Sequence, residues 1–259
     1  MDSKFGSAIE TGQALELTEK ILKCENISLL GFHCHIGSQI FESQPFTTAA
    51  DMMFSFIADV KNKLGFVTEI LNLGGGFGVR YTEKDPEIDY AEKISEIASV
   101  LKGQCDKYGI SVPRISMEPG RSIVADAGLT LYTVGSVKEI RGYKNYVSID
   151  GGMTDNPRFT LYESEYTVEI ANKMNCPKDY TATVAGRCCE SGDLIGENFK
   201  MPKPQRGDIL AVLTTGAYNY SMASNYNRVP RPPVVMLKDG KDYIAVKRET
   251  LDDICGLDV

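Results

Sequence analysis

Three times in the first half of this 259-residue chain, apolar residues at helical spacing precede a short apolar run that ends in glycine or charge. Ala14, Leu17 and Ile21 lead into residues 27–32. Phe46, Ala49, Met53, Phe56, Ile57, Val60 and Leu64 lead into 67–73, and Tyr90, Ile94, Ile97 and Leu101 lead into 114–117. A 3.6-residue period marks an amphipathic helix, and a short apolar run between polar breaks marks a buried strand. Helices alternating with such strands imply an α/β fold with a parallel sheet and crossover connections. The run 27–32 reads as a buried strand on this pattern.

The texture changes near Ala127. Short runs rich in Val, Ile, Tyr and Thr follow at 129–134, 146–149, 181–184, 209–213 and 243–246, separated by Gly, Pro and Asn. They predict a mostly antiparallel β-domain over 127–259, joined by a short linker to an α/β segment over 1–126. The formal net charge of -7 and the lack of a basic block argue against a nucleic-acid partner. No apolar run approaches the ~20 residues of a membrane span. The start, Met1-Asp2-Ser3-Lys4-Phe5, lacks a leader pattern. The 7 cysteines are odd in number and include no Cys-x-x-Cys pair, which points to reduced thiols and a cytoplasmic setting.

Each of the three strands ends in residues able to do chemistry. The first ends in His35 and Ser38, the second in Gly74, Gly75 and Gly76, the third in Glu118 and Arg121. His33 and His35 are two apart, so an extended chain turns both to one side. A metal needs a third and usually a fourth ligand, and the chain has no other histidine; no metal is expected. Strand C-termini carry the sites of α/β barrels. Glycines let backbone N–H groups approach phosphate, and an arginine adds a charge-assisted contact. Taken singly, the glycine run is equally a plain turn, Glu118 equally a solvated carboxylate, and His35 equally a core histidine.

The motifs His-Ile-Gly-Ser-Gln (35–39), Leu-Gly-Gly-Gly-Phe-Gly (73–78) and Glu-Pro-Gly-Arg (118–121) resemble those of pyridoxal-phosphate-dependent decarboxylases built on an alanine-racemase-like barrel. Asp-Gly-Gly-Met (150–153), Arg-Phe-Thr-Leu-Tyr (158–162), Cys-Glu-Ser-Gly-Asp (189–193), Gly-Ala-Tyr (216–218) and Ser-Asn-Tyr-Asn (224–227) narrow the resemblance to the diaminopimelate decarboxylase family. It runs along essentially the whole chain. It implies that 1–126 are the last three strand-helix units of a (β/α)8 barrel, that 127–259 are its β-domain, and that the cofactor is pyridoxal 5'-phosphate. The implied reaction converts meso-2,6-diaminopimelate to L-lysine and CO2 in a homodimer with shared active sites. The family's cofactor-bearing lysine lies in a segment without counterpart here. The chain is therefore expected to be a C-terminal part, inactive alone, with an open sheet edge.

The resemblance also implies roles. Glu118 matches the partner of the cofactor's ring nitrogen and His35 the residue stacked on its ring. Ser38, Gly74, Gly75, Gly76, Arg121 and Tyr218 match phosphate contacts. Arg121, Arg158 and Tyr162 match the residues that hold the distal carboxylate of the substrate, with Tyr218 also near it. Phe159 replaces the proline common at that point of the family's pattern. Cys189, Glu190 and Ser191 match a turn that enters the neighbouring subunit's site, where Cys189 could supply the Cα proton and Glu190 recognise the distal ammonium. Cys188, beside it, takes no role. The rival readings are a related diamino-acid decarboxylase such as carboxynorspermidine decarboxylase, a non-catalytic pyridoxal-phosphate-binding protein, and a metal-dependent amidohydrolase suggested by His33 and His35.

Overall fold

Each apolar stripe in the first half winds into a helix, and each run after it yields a strand. The computed structural model describes residues 4–259; Met1, Asp2 and Ser3, part of the N-terminal stretch read above, lie outside the described residues. The chain divides into two units, Met1–Val79 with Pro86–Ser122 and Arg80–Asp85 with Ile123–Val259. The short segment Arg80–Asp85, which the sequence pattern groups with the barrel part, thus belongs to the second unit.

The first unit runs α1 (Gln13–Leu22), β1 (Gly31–His33), α2 (Gln44–Leu64), β2 (Ile70–Asn72), α3 (Tyr90–Tyr108) and β3 (Arg114–Ser116), with α4 (Gly120–Val124) following β3. The sheet order is β1-β2-β3, and both pairings are parallel, as the alternation of helices and strands demands. Pro45 sits in the first turn of α2, and Gly65 closes it in a left-handed conformation at φ 69°. The side chain of Asp89 caps α3 by accepting from the N–H groups of Ala91 and Glu92 at 2.9 and 3.0 Å. Phe54, Ile57 and Val60 of α2, Leu71 of β2 and Ile97 of α3 are buried in one core.

One expectation needs correction. The run 27–32 is not a buried strand: only Gly31–His33 joins the ladder, and Ile27 and Leu30 are 56% and 47% exposed. The cause is one-sided pairing. Among the described residues β1 has a ladder partner only in β2, and β3 likewise, so the sheet keeps two open edges. This is the partial-barrel arc expected from the sequence.

The second unit contains β4 (Leu129–Ile140), β5 (Lys144–Ile149), α5 (Arg158–Tyr162), β6 (Val168–Ile170), β7 (Tyr180–Ala185), β8 (Leu194–Met201), β9 (Ile209–Leu213), β10 (Val234–Lys238), β11 (Lys241–Val246) and α6 (Leu251–Cys255). Six strands form one sheet in the order β6-β9-β4-β5-β7-β8. All its pairs are antiparallel except β5 with β7. A separate hairpin joins β10 and β11. Val147, Val184, Ile170, Ile195, Met201 and Leu210 are fully buried. The segment Arg80–Asp85 is tied in by Thr167, whose hydroxyl donates to the Tyr81 carbonyl at 2.8 Å, and by Lys84 against Glu165 at 2.9 Å. Among the described residues no helix is long and apolar enough to cross a membrane.

Phe54 lies in the middle of the first unit's core with no exposed surface. Phe54→Ala is expected to destabilise the native state by about 3–5 kcal/mol, the transfer loss plus the cavity left behind. Urea denaturation of native and variant chains measures it.

Candidate active site

In the first unit the turns after β1, β2 and β3 meet. Gly74, Gly75 and Gly76 form the middle turn, and its contacts explain why no side chain stands there. A Cβ on Gly75 would lie 2.1 Å from the Glu118 carbonyl oxygen. One on Gly76 would lie 2.4 Å from that of Gly37, and one on Gly74 2.5 Å from that of Cys34. Gly74 and Gly76 also have φ of +68° and +107°, a region that side chains disfavour. The turns are stitched by backbone bonds: Glu118 N–H donates to Gly74 at 2.8 Å, Ile40 N–H to Gly76 at 2.9 Å, and Gly78 N–H to Ile40 at 2.9 Å. His35 lies against the middle turn, its Nδ1 3.0 Å from where a Gly74 Cβ would be. Arg121, on α4, donates from Nη2 to the Ser38 hydroxyl at 2.9 Å.

Glu118 is held by one hydrogen bond and faced by a second side chain. Asn72 Nδ2 donates to its Oε1 at 2.8 Å, and His33 Nε2 lies 3.6 Å from its Oε2. His33 therefore faces a carboxylate of the same cluster. The five turn-borne features picked from sequence, namely His35, Ser38, the three glycines, Glu118 and Arg121, are neighbours. Asn72 escaped notice because an asparagine two residues before a glycine run looks like ordinary turn chemistry; its register opposite His33 is the signal that finds it.

In the second unit a buried carboxylate joins two loops. Asp193, 2% exposed, accepts from Met153 N–H at 2.6 Å and from Cys188 N–H at 2.7 Å. It thereby ties the Asp-Gly-Gly-Met loop to the cysteine loop. A Cβ on Gly152 would meet Asp193 Oδ1 at 2.3 Å, so the second glycine of that motif makes room for the carboxylate. Asp155 sits beside it, bonded to the Tyr132 hydroxyl, and burial raises its carboxyl above the usual range. Cys188 is half-buried, and its thiol is pushed up by burial and then by Asp193. Cys189, Glu190 and Ser191 form an exposed turn. The Tyr226 hydroxyl donates to Glu190 Oε2 at 3.1 Å, which raises the Tyr226 phenol.

Arg158 begins α5 and is buried. Its hydrogen bonds all go to neutral oxygens: the hydroxyls of Tyr81 at 2.9 Å, Tyr166 at 3.4 Å and Ser164 at 3.2 Å. The rings of Tyr81 and Tyr166 flank the guanidinium at 5.3 and 6.0 Å. Tyr162, one helical turn on, is 63% exposed, so the two face different surroundings. Tyr218 is 44% exposed with a left-handed φ of 59°. Sequence reasoning missed Tyr81, Tyr166 and Tyr226 as partners of Arg158 and Glu190, and gave Asp193 no role. The first two carry no local motif, while Tyr226 and Asp193 stood inside motifs already quoted.

Comparison with known proteins follows this geometry. Residues 1–125 match the family model described as pyridoxal-dependent decarboxylase, pyridoxal binding domain. The diaminopimelate decarboxylase of Bacillus subtilis is 48% identical over 258 residues, covering 100% of this chain and 59% of that protein. That of Staphylococcus aureus is 45% identical, covering 96% and 58%. Among solved structures, the diaminopimelate decarboxylase of M. jannaschii in complex with L-lysine superposes with a TM-score of 0.89 at 34% identity, covering 100% of this chain and 58% of that one. The enzyme of Helicobacter pylori with L-lysine gives 0.86 at 31%, covering 99% and 60%. The chain thus spans less than two thirds of the relatives it matches.

Two outcomes follow from the second unit. Asp193→Ala strands two N–H groups, and each stranded buried donor costs roughly 1–3 kcal/mol; thermal unfolding of the variant reads the loss. The Ser-Asn-Tyr-Asn segment is braced by Glu249, whose carboxylate the Arg231 side chain, then the Arg231 N–H and Asn225, hold well below the usual carboxylate range, at about 2. A depressed carboxyl contributes stability above its unfolded pKa and loses it as pH falls through the folded one. Backbone NMR signals of 225–231 should therefore hold steady above pH 4.5 and shift as pH falls toward 2, and Glu249→Gln should shift them already at neutral pH.

Proposed function

We propose the following for a chain homologous along its whole length to the diaminopimelate decarboxylases: it supplies cofactor and substrate contacts for decarboxylating meso-2,6-diaminopimelate to L-lysine and CO2. The cofactor is pyridoxal 5'-phosphate. The observation that carries this reading is the meeting of Ser38, Gly74, Gly75, Gly76, Arg121, His35 and Glu118 on three adjacent turns. This donor set fits the group. Backbone N–H groups of a glycine turn, a hydroxyl and a guanidinium suit a phosphate dianion. A carboxylate suits a protonated ring nitrogen, and the His35 ring, set against Gly74, suits a planar face. We assign residues 1–126 to the cofactor-binding barrel part and 127–259 to the β-domain.

When bound, the cofactor supplies an electron sink for the pair released as the Cα–carboxylate bond breaks. The chain's residues do the rest. Glu118 keeps the proton on the ring nitrogen, and His35 covers one ring face. Ser38, Arg121 and the glycine N–H groups hold the phosphate. Among the described residues Arg158 is a buried cation bonded to neutral oxygens alone, and a substrate carboxylate would supply its charge partner. Tyr162 shares in holding that carboxylate. Glu190, oriented by the Tyr226 hydroxyl, takes the distal ammonium, with Ser191 beside it, and Cys189 delivers the Cα proton. The 189–191 turn serves the neighbouring subunit's site, so the working form is a homodimer. Seven cysteines without a disulfide among them support a cytoplasmic setting.

The reading is tested in two steps. Pyridoxal phosphate titrated into the chain should bind, and Arg121→Ala should weaken binding about tenfold or more, as expected for loss of a charge-assisted contact; unchanged affinity sinks the phosphate assignment. The chain alone, given cofactor and meso-diaminopimelate, should release no measurable CO2. Co-expression with the portion of a relative that it does not span should restore lysine formation. Turnover by the chain alone at the rate of a full-length relative overturns the view that the remaining length is needed.

A further inference from the structure

Asn72 ends the middle strand of the first unit. Leu71 and Leu73, on either side of it, are buried in the core at 0% and 4% exposure, so the pleat turns Asn72 to the opposite face. There it stands in register with His33 on β1 and Ser116 on β3. Its amide makes two hydrogen bonds of opposite polarity. Gly74 N–H donates to Oδ1 at 2.8 Å, and Nδ2 donates to Glu118 Oε1 at 2.8 Å. His33 Nε2 approaches the other carboxylate oxygen at 3.6 Å.

The first bond alone is a common local turn, a side chain closing on an N–H two residues ahead. The second is not local, since Glu118 lies 46 positions away. Together they also fix the amide's orientation. A backbone N–H can only donate and a carboxylate can only accept, so Oδ1 must face Gly74 and Nδ2 must face Glu118. An aspartate here would keep the first bond and set acceptor against acceptor at the second. The Glu118 side chain is 60% exposed; a solvated glutamate ranges over several rotamers unless something holds it.

We propose that Asn72 is a positioning residue of the pyridoxal site. Its one amide couples the glycine turn that takes the phosphate to the carboxylate that takes the ring nitrogen, so both ends of the cofactor meet a single fixed geometry. His33 is a second positioning residue, acting on Oε2 of Glu118. The assignment to the cofactor rests on the function proposed above; the coupling is a property of the chain alone.

The experiment is NMR on the chain without cofactor, comparing Asn72→Ala, which removes both bonds, with Asn72→Asp, which removes only the one to Glu118. Alanine should speed Gly74 amide exchange about tenfold, as for an exposed amide, whereas aspartate should leave it unchanged. Both should turn the Glu118 side-chain couplings from single-rotamer to averaged values, and His33→Ala should do so in part without touching Gly74. A Glu118 that keeps one rotamer in Asn72→Asp overturns the proposal and leaves Asn72 a turn-closing residue. With pyridoxal phosphate labelled at its ring nitrogen, Asn72→Asp should move that resonance toward the unprotonated position. If Glu118 loosens but the labelled cofactor does not bind or does not respond, the assignment to the cofactor is overturned while the coupling stands.

Discussion

The first unit depends on a close approach of backbones. Three turns reach one another because the middle one carries no side chains: a single Cβ on Gly75 would drive into the Glu118 carbonyl. His35, Ser38, the three glycines and Glu118 sit on those turns, with Arg121 on the short helix that follows the third. Their spacing is set by the parallel ladder, and their contact by the glycines. A glycine run that could have been a plain turn is instead the point where three loops converge.

The second unit solves a similar problem with a buried charge. Asp193 takes two backbone N–H groups from different loops, and Gly152 and Gly186 yield the space it occupies. A carboxylate that is 2% exposed is tolerable because its lone pairs are met by fixed donors. The turn bearing Cys189 and Glu190 can then stay exposed while its base is rigid. Tyr226 steadies Glu190 from another segment, itself braced through Asn225 and Glu249. Arg158 is the counterpart with opposite sign. It is a cation held among tyrosines, with no carboxylate bonded to it among the described residues.

Much of this was legible beforehand. Helical stripes named α1, α2 and α3 and put their strands in order, because burial of one helix face is periodic whatever the partner. Runs of β-branched residues marked β5, β7, β9 and β11. The strand-end motifs named His35, Ser38, Glu118 and Arg121 as neighbours. The run 27–32 misled because apolar character reports what a segment is suited to pack against, while its exposure depends on whether a neighbour stands beside it. One-sided pairing left Ile27 and Leu30 exposed.

The sequence by itself determined the α/β-then-β order, the glycine turn and the resemblance to the decarboxylases, since periodicity, turn chemistry and motifs are local properties. Tertiary structure alone decided that Asn72 bridges Gly74 and Glu118, that His33 faces a carboxylate, and that Tyr81 and Tyr166 enclose Arg158. Glu118 is 46 positions from Asn72 and Tyr81 is 77 from Arg158. At such separations no local preference links two residues. Only the register of the strands, and the turns they carry, brings an amide within 2.8 Å of a carboxylate.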